Sequence, residues 1–363
     1  EDWHVNGFLR YEFYNGRSSE IYSETKGDFI VPNQYFLANG IDGYNTSAKV
    51  YGTKIMHSVA FQAGASWRDQ VYLDVTGRND WSSSLVYTDK HGNFSYFYPS
   101  VSGSWLIHET FRGKLPSWIS FAKIRASWAQ VGNDTDAYRI NSAYNIYGID
   151  KTYGLQVPDT SYDPNLKPER KNSWEFGIDW RFLNNRIGID ATYYRENTKN
   201  QIMSISVPSI SGLSNQVVNA GNIQNQGVEL ALNTTPIQTK DWTWTLTPIW
   251  SKNTNNISKT SVQNYKVDDY LAGNVYIDGK PVNAVYAWEF TGLDPKTGFA
   301  TFKGCSSNED EVEKSDDPAT YLKYVGPADP RFNGGLSSSL RWKNLTLSAQ
   351  FAFGFGNYKR LNF

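Results

Sequence analysis

Hydrolytic chemistry needs a positioned nucleophile or a matched pair of carboxylates, and the residues able to supply either are scattered along this chain. The four histidines, His4, His57, His91 and His108, fall in separate stretches. No Gly-x-Ser-x-Gly elbow presents a serine beside one of them. Glu175, Asp179 and Asp190 come at spacings that put them on one side of neighbouring strands. A barrel hydrolase would use such carboxylates as acid and base, whereas a pore wall would neutralise them with Arg181, Arg186 and Arg195. The acidic run Glu309-Asp310-Glu311-Val312-Glu313 through Asp316-Asp317 has the oxygen donors that suit calcium but not the spacing of a calcium loop, so it reads as a solvated segment. A single cysteine, Cys305, excludes an internal disulfide and any multi-cysteine metal site. No catalytic residue, cofactor or metal is expected. The residues best suited to holding something are tyrosines: Tyr138, Tyr144, Tyr147, Tyr153 and Tyr162, then Tyr265, Tyr270 and Tyr276, punctuate Asn- and Gly-rich stretches. A flat ring with a hydroxyl serves sugar rings, peptides and protein partners alike, so these eight are the candidate contacts to substrate or to a partner protein.

The elements that must position them are strands. From Trp174 the residues Trp174, Phe176, Ile178, Trp180 and Phe182 are large and apolar, while Ser173, Glu175, Gly177, Asp179 and Arg181 between them are small or charged. Asn184-Asn185 supply a two-residue turn, and Ile187, Ile189, Ala191 and Tyr193 resume the alternation. One face of this hairpin is greasy and the other wet. A secreted, glycan-binding sandwich would fill its greasy face with Val, Ile and Leu. Here Trp and Phe sit at both ends of the strand with Ile178 between, the layout of an aromatic girdle, and each strand is long enough to cross a bilayer at a tilt.

The same period runs through the rest of the chain. It is carried by Leu9 to Phe13, Ile55 to Ala65, Val71 to Val75, Val101 to Ile107, Ala122 to Trp128, Val228 to Leu232, Trp242 to Trp250, Leu336 to Trp342 and Leu345 to Phe355. Long polar stretches, Asn15–Lys49, Gly77–Asn93, Val131–Lys171 and Asn200–Gln226, alternate with short turns, the asymmetry of an outer-membrane barrel whose short turns face the periplasm. On that rule Ser173–Phe182 runs inward and Arg186–Asn197 outward. The stretch between Asn253 and Gly335 must then hold an even number of crossings; zero is expected, with local hairpins outside the membrane. Pro248 requires a bulge or an unpaired ladder position.

Composition agrees. The chain of 363 residues has a formal net charge of -1, which suggests no nucleic-acid partner, and 15% of it is aromatic, with 13 Trp and 24 Tyr, more than a globular core uses. No apolar run is long enough for a membrane helix. Nothing at Glu1-Asp2-Trp3-His4 resembles a signal peptide.

Five strings carry a family resemblance. Asp163-Pro164-Asn165-Leu166-Lys167-Pro168-Glu169 followed by Trp174-Glu175-Phe176-Gly177 resembles a loop-to-strand junction of TonB-dependent outer-membrane receptors. Asn219 to Leu230, Arg125 to Asn133, Gly292 to Gly298 and Phe97 to Ser102 are similar to the SusC/RagA branch. Pro164 and Pro168 hold an extended entry, and Gly221 and Gly227 are expected to permit backbone shapes that a side chain would obstruct. The resemblance implies an all-β fold, an antiparallel transmembrane β-barrel of which residues 1–363 are a C-terminal portion, about half of a plugged barrel of roughly 22 strands. The chain is then expected to lack the plug domain and signal peptide and to end before the barrel closes. It also implies an outer-membrane importer of oligosaccharides or peptides, embedded in outer-membrane lipid, with a SusD-like surface lipoprotein as lid and energy from the TonB complex through the missing N-terminal part.

Overall fold

A computed structural model describes residues 2–141, 144–149, 152–207, 210, 212–260, 275–296, 298, 300–302 and 322–359. In chain order its strands are β1 (Trp3–Thr25), β2 (Tyr44–Trp67), β3 (Val71–Ser82), β4 (Ser95–Leu106), β5 (Ile119–Asn133), β6 (Asn145–Ile149), β7 (Thr152–Gln156), β8 (Thr160–Tyr162), β9 (Glu169–Phe182), β10 (Ile187–Ser206), β11 (Asn215–Gln238), β12 (Trp242–Thr260), β13 (Ala284–Trp288), β14 (Phe290–Leu293), β15 (Ala300–Phe302), β16 (Leu322–Pro327), β17 (Phe332–Trp342) and β18 (Leu345–Phe355). The long ones form one antiparallel meander, β1-β2-β3-β4-β5-β9-β10-β11-β12-β17-β18, each paired with its predecessor. These are the eleven strands expected from alternation. β8 adds in parallel to the outer part of β11.

Residue chemistry sets the turns. Arg68 and Asp69 take positive φ between β2 and β3, and Leu183, Asn184 and Asn185 take φ of 52°, 56° and 63° between β9 and β10. The second turn is therefore wider than the Asn-Asn pair alone. Its Arg186 N–H closes on the Leu183 carbonyl. Pro248 faces Leu336 on β17, while the β11–β12 ladder is recorded at Ala231↔Ile249 and Thr234↔Leu246 and skips the positions between, which is where a residue without an N–H fits.

Pairing through the register puts the apolar residues of all eleven strands on one face. Trp174 and Phe176 are each 51% exposed and Ile178 40%, with no second layer over them among the described residues. A soluble sandwich would have covered them. Aromatic pairs mark two levels of this face. Trp118–Phe182 (5.6 Å) and Trp242–Trp342 (5.6 Å) lie at the short turns; Trp128–Trp174 (6.1 Å) and Trp250–Phe332 (6.1 Å) lie toward the long loops. His57 lies on this face against the Phe13 ring at 5.1 Å, its Nδ1 bonded to the Tyr11 hydroxyl at 2.7 Å, an interfacial packing role.

The dry clusters lie instead in the loop layer: Ile140, Leu166 and Val217; Met203 and Ala220; Val275, Ala284 and Tyr286. Leu166 belongs to the first junction string, and the Asn219 amide of the second brackets its neighbour. Asn219 Oδ1 accepts from Lys167 N–H at 2.8 Å and Asn219 Nδ2 donates to the Lys167 carbonyl at 2.9 Å. Two of the family strings thus form one joint.

The long polar stretches are shorter as loops than alternation suggests. β1 and β2 stay paired out to Thr25↔Tyr44, so most of Asn15–Lys49 is a ribbon with its tip at 26–43. β10 and β11 stay paired out to Ser206↔Asn215, so Asn219–Gly227 lies inside a strand rather than at its entry. β3 runs on to Ser82 and β4 begins at Ser95. Within Val131–Lys171, β5 reaches Asn133, β9 starts at Glu169, and β6 pairs with β7. Beyond the apolar band both faces of a strand are polar, so the ladder continues while the apolar alternation stops. Gly227 meets the expectation by clearance rather than by conformation. Its φ is not positive; what it supplies is space, since a Cβ there would lie 2.5 Å from both the Lys252 carbonyl and the Tyr194 hydroxyl. β12 pairs directly with β17, and β13–β16 and β14–β15 pair apart from the main sheet, so no further crossing occurs among the described residues.

Candidate functional site

The polar face of the sheet carries the charged residues of the strands, held in networks that cross from strand to strand. At its centre Arg125 of β5 reaches across β9 to β10. Its Nη2 donates to Asp190 Oδ1 at 2.7 Å and to Thr192 Oγ1 at 2.6 Å, and its Nη1 donates to Asp190 Oδ2 at 3.3 Å. The residue it crosses is Gly177, where a Cβ would come within 2.4 Å of Arg125 Nε. Glycine is needed there for clearance. Asp179 is held by Arg181, with Nη2 to Oδ2 at 3.0 Å. Beside the bridge, Asp190, Thr192, Glu229, Ser251 and Asn333 line a hollow of about 500 Å³.

Nearer the loops a second network ties four strands. Arg78 donates to Glu12 (2.6 Å), Asp80 (2.7 Å) and Ser58 (2.8 Å), and the Tyr98 hydroxyl donates to Asp80. Asp80 is 4% exposed and Ser58 1%. Above it Lys54 meets Asp134 at 2.6 Å, and the Ser82 and Ser84 hydroxyls donate to the same carboxylate. On the outer ribbon the Tyr22 hydroxyl and the Asn45 amide donate to Glu24, and hold its carboxyl below the usual range.

Of the expected lumenal ion pairs, Arg181 with Asp179 is present. Asp190 takes Arg125 instead. Arg186 donates to the Thr235 and Pro236 carbonyls (3.2 and 2.8 Å) at the short-turn end, and Arg195 is on the apolar face, two residues beyond Tyr193 on the same side of β10. Counting parity from Tyr193 finds Arg195; the Arg125–Asp190 bridge needs the register of three strands, which alternation alone does not supply. Removing the clearance tests the bridge. Gly177→Leu should displace Arg125 and cost about 1 kcal/mol, the value for charged hydrogen bonds reduced because both partners are more than a third exposed. In an Arg125→Met background the same change should cost almost nothing in a urea titration. Equal costs in the two backgrounds would show that Gly177 serves another purpose.

The candidate tyrosines divide by place. Tyr138 (61%), Tyr144 (65%) and Tyr153 (83%) stand exposed on the loop layer. Tyr162 packs on the Ile140, Leu166 and Val217 cluster, and Tyr276 on Met203 and Ala220. The backbone of Tyr147 pairs with Gly154 in the β6–β7 hairpin. Tyr265, Tyr270, Cys305 and the acidic run 309–317 lie outside the described residues. Among the described residues no group of three or more His, Cys, Asp or Glu is placed to hold a metal ion.

The family model described as TonB dependent receptor-like, beta-barrel, matches residues 2–362. The chain belongs to this family. TonB-dependent receptor P26 of Formosa agariphila is 29% identical over 98% of the chain and 39% of its own length. TonB-dependent receptor SusC of Bacteroides thetaiotaomicron is 27% identical over 98% of the chain and 35% of its own length. Among solved structures, the RagAB peptide importer in its closed-closed state superposes with a TM-score of 0.78 at 25% identity, over 98% of this chain and 40% of that one. The chain thus spans about two-fifths of the length of the relatives it matches. This TonB-dependent receptor barrel is of the SusC/RagA type and an outer-membrane protein. Its apolar face is accordingly the lipid face and its charged face the lumen, with the short turns at the periplasm.

Proposed function

We propose that the protein containing this barrel imports oligosaccharides or peptides across the outer membrane, with a SusD-like surface lipoprotein closing over the loops and the TonB complex supplying energy through the rest of the receptor. The observation that carries this reading is the combination of a charged, hydrogen-bonded lumen wall with a thick outer layer presenting exposed tyrosines, on a barrel similar to SusC and to the RagAB peptide importer. Gated passage is the mechanism. Tyr138, Tyr144 and Tyr153 hold cargo or lid at the mouth, and the paired wall charges keep the route wet without leaving a strong trap for a charged solute. As catalysts Asp179 and Asp190 are poorly placed, since each is engaged by an arginine.

Uptake by cells carrying the complete receptor, assayed with labelled oligosaccharide and peptide mixtures with and without a SusD-like lipoprotein, tests the whole reading. Replacing Tyr138, Tyr144 and Tyr153 together by alanine should weaken cargo binding about tenfold in calorimetry, the loss of roughly one aromatic anchor. Unchanged affinity would remove these tyrosines from the site.

A further inference from the structure

The lipid face carries a groove. The register sets Leu73, Gly103, Ala126, Phe176, Tyr193 and Val228 in one row across β3, β4, β5, β9, β10 and β11, with Trp105, Ile178 and Ala191 in the row beneath. Where side chains shrink to glycine or alanine, between the walls of Trp105, Phe176, Ile178 and Tyr193, a hollow of about 790 Å³ opens on this face. It does not run level. Val71, at its low end, begins β3 directly after the periplasmic turn, whereas Val228, at its high end, lies well along β11 from the periplasmic turn that follows Gln238. Five inter-strand steps of about 4.8 Å make it about 24 Å long. A tilted hydrocarbon chain has that shape and chemistry.

The upper mouth is charged. Arg195, the next lipid-facing residue beyond Tyr193, stands across from Trp174, whose ring meets Trp128. Its guanidinium donates to Gln224 Oε1 at 3.4 Å, and no carboxylate pairs with it among the described residues. On the far side Lys252 faces Val228 across the β11–β12 ladder and lies 5.4 Å from the Phe332 ring. A cation among indoles at the outer edge of an apolar band is complementary to a lipid phosphate, which a guanidinium can grip with two N–H groups.

We propose that this groove is a binding site for a phosphate-bearing lipid of the outer leaflet, its acyl chain seated over Gly103, Ala126 and Ala191 and its phosphate held by Arg195. Annular lipid exchanging at random would need neither the hollow nor the cation at its head. The site is independent of cargo and lid, so its test leaves the import reading untouched.

The complete receptor, delipidated in neutral detergent, is titrated with dimyristoyl phosphatidic acid or with dimyristoylglycerol, and retained lipid is counted by native mass spectrometry. Phosphatidic acid should be retained roughly tenfold better than dimyristoylglycerol, the worth of a charged hydrogen bond, and Arg195→Gln should remove the difference. Gly103→Leu should reduce retention of both lipids, because a Cβ there meets only the Tyr72 carbonyl at 3.6 Å and the longer side chain fills the groove rather than strains the sheet. Ala126→Leu serves if that variant does not fold. Arg68→Gln, at a periplasmic turn beside Trp67, should change nothing. Equal retention of the two lipids, indifference to Arg195→Gln, or dependence on Arg68 instead would each overturn the proposal.

Discussion

An arginine in place of Ile178 should destabilise the folded barrel by about 2–4 kcal/mol, the cost of a cation at the lipid-facing midplane of an outer-membrane barrel. Ile178 stands between the Trp174 and Trp180 levels on the uncovered face, 40% exposed to what is lipid in the membrane. Ser127, on the opposite face and directly across from Glu175, gives the contrast. Ser127→Arg places the same charge in the wet lumen beside a carboxylate and should shift stability by less than about 0.5 kcal/mol. Urea titration of the complete receptor folded into lipid vesicles measures both. The two faces would have to be exchanged if the serine variant were the damaging one.

The second large effect is expected at Asp80. Its carboxylate accepts from Arg78 and from the Tyr98 hydroxyl in a nearly dry position, so alanine removes the shared acceptor and leaves the phenol without one. Breaking a buried pair from one side costs about 3–5 kcal/mol. Arg78 keeps Glu12 and Ser58, which places the expected loss for Asp80→Ala near the lower end, at about 3 kcal/mol. Asp80→Asn, which keeps an acceptor and loses only charge, should cost about 1 kcal/mol. If both substitutions cost the same, the charge matters and the acceptor does not.

What was legible in the sequence followed from lipid. Wherever a strand crosses the bilayer, alternate residues answer to two different solvents, and Trp174 to Phe182 or Leu345 to Phe355 record that without ambiguity. Eleven crossings, their direction and the pairing of β12 with β17 could be reached on that ground. Beyond the membrane both faces answer to water, so the outer parts of β1, β2, β10 and β11 carry hydrogen-bonded rungs with no period to betray them. The wall was legible in kind but not in partner. That Asp190 points inward is a matter of parity; that Arg125 reaches it across Gly177 depends on which residues of β5, β9 and β10 stand abreast, and register is fixed by turns and bulges as much as by hydrophobicity. Among the tyrosines, spacing does not separate those packed on a loop cluster, Tyr162 and Tyr276, from those left standing, Tyr138, Tyr144 and Tyr153.

The outer ribbon of β1 and β2 has a mechanical meaning. The two strands hold rung to rung from Trp3↔Trp67 out to Thr25↔Tyr44, interrupted by one irregularity at Ser18/Ser19. The tip is clamped, with the Asn39 side chain tying Val31 and Gln34. Tip and staves therefore form one continuous ladder with a single break in register. A load on the tip would travel down paired backbone toward the level where Arg78 laces β1 to β3 at Glu12, rather than along a slack tether.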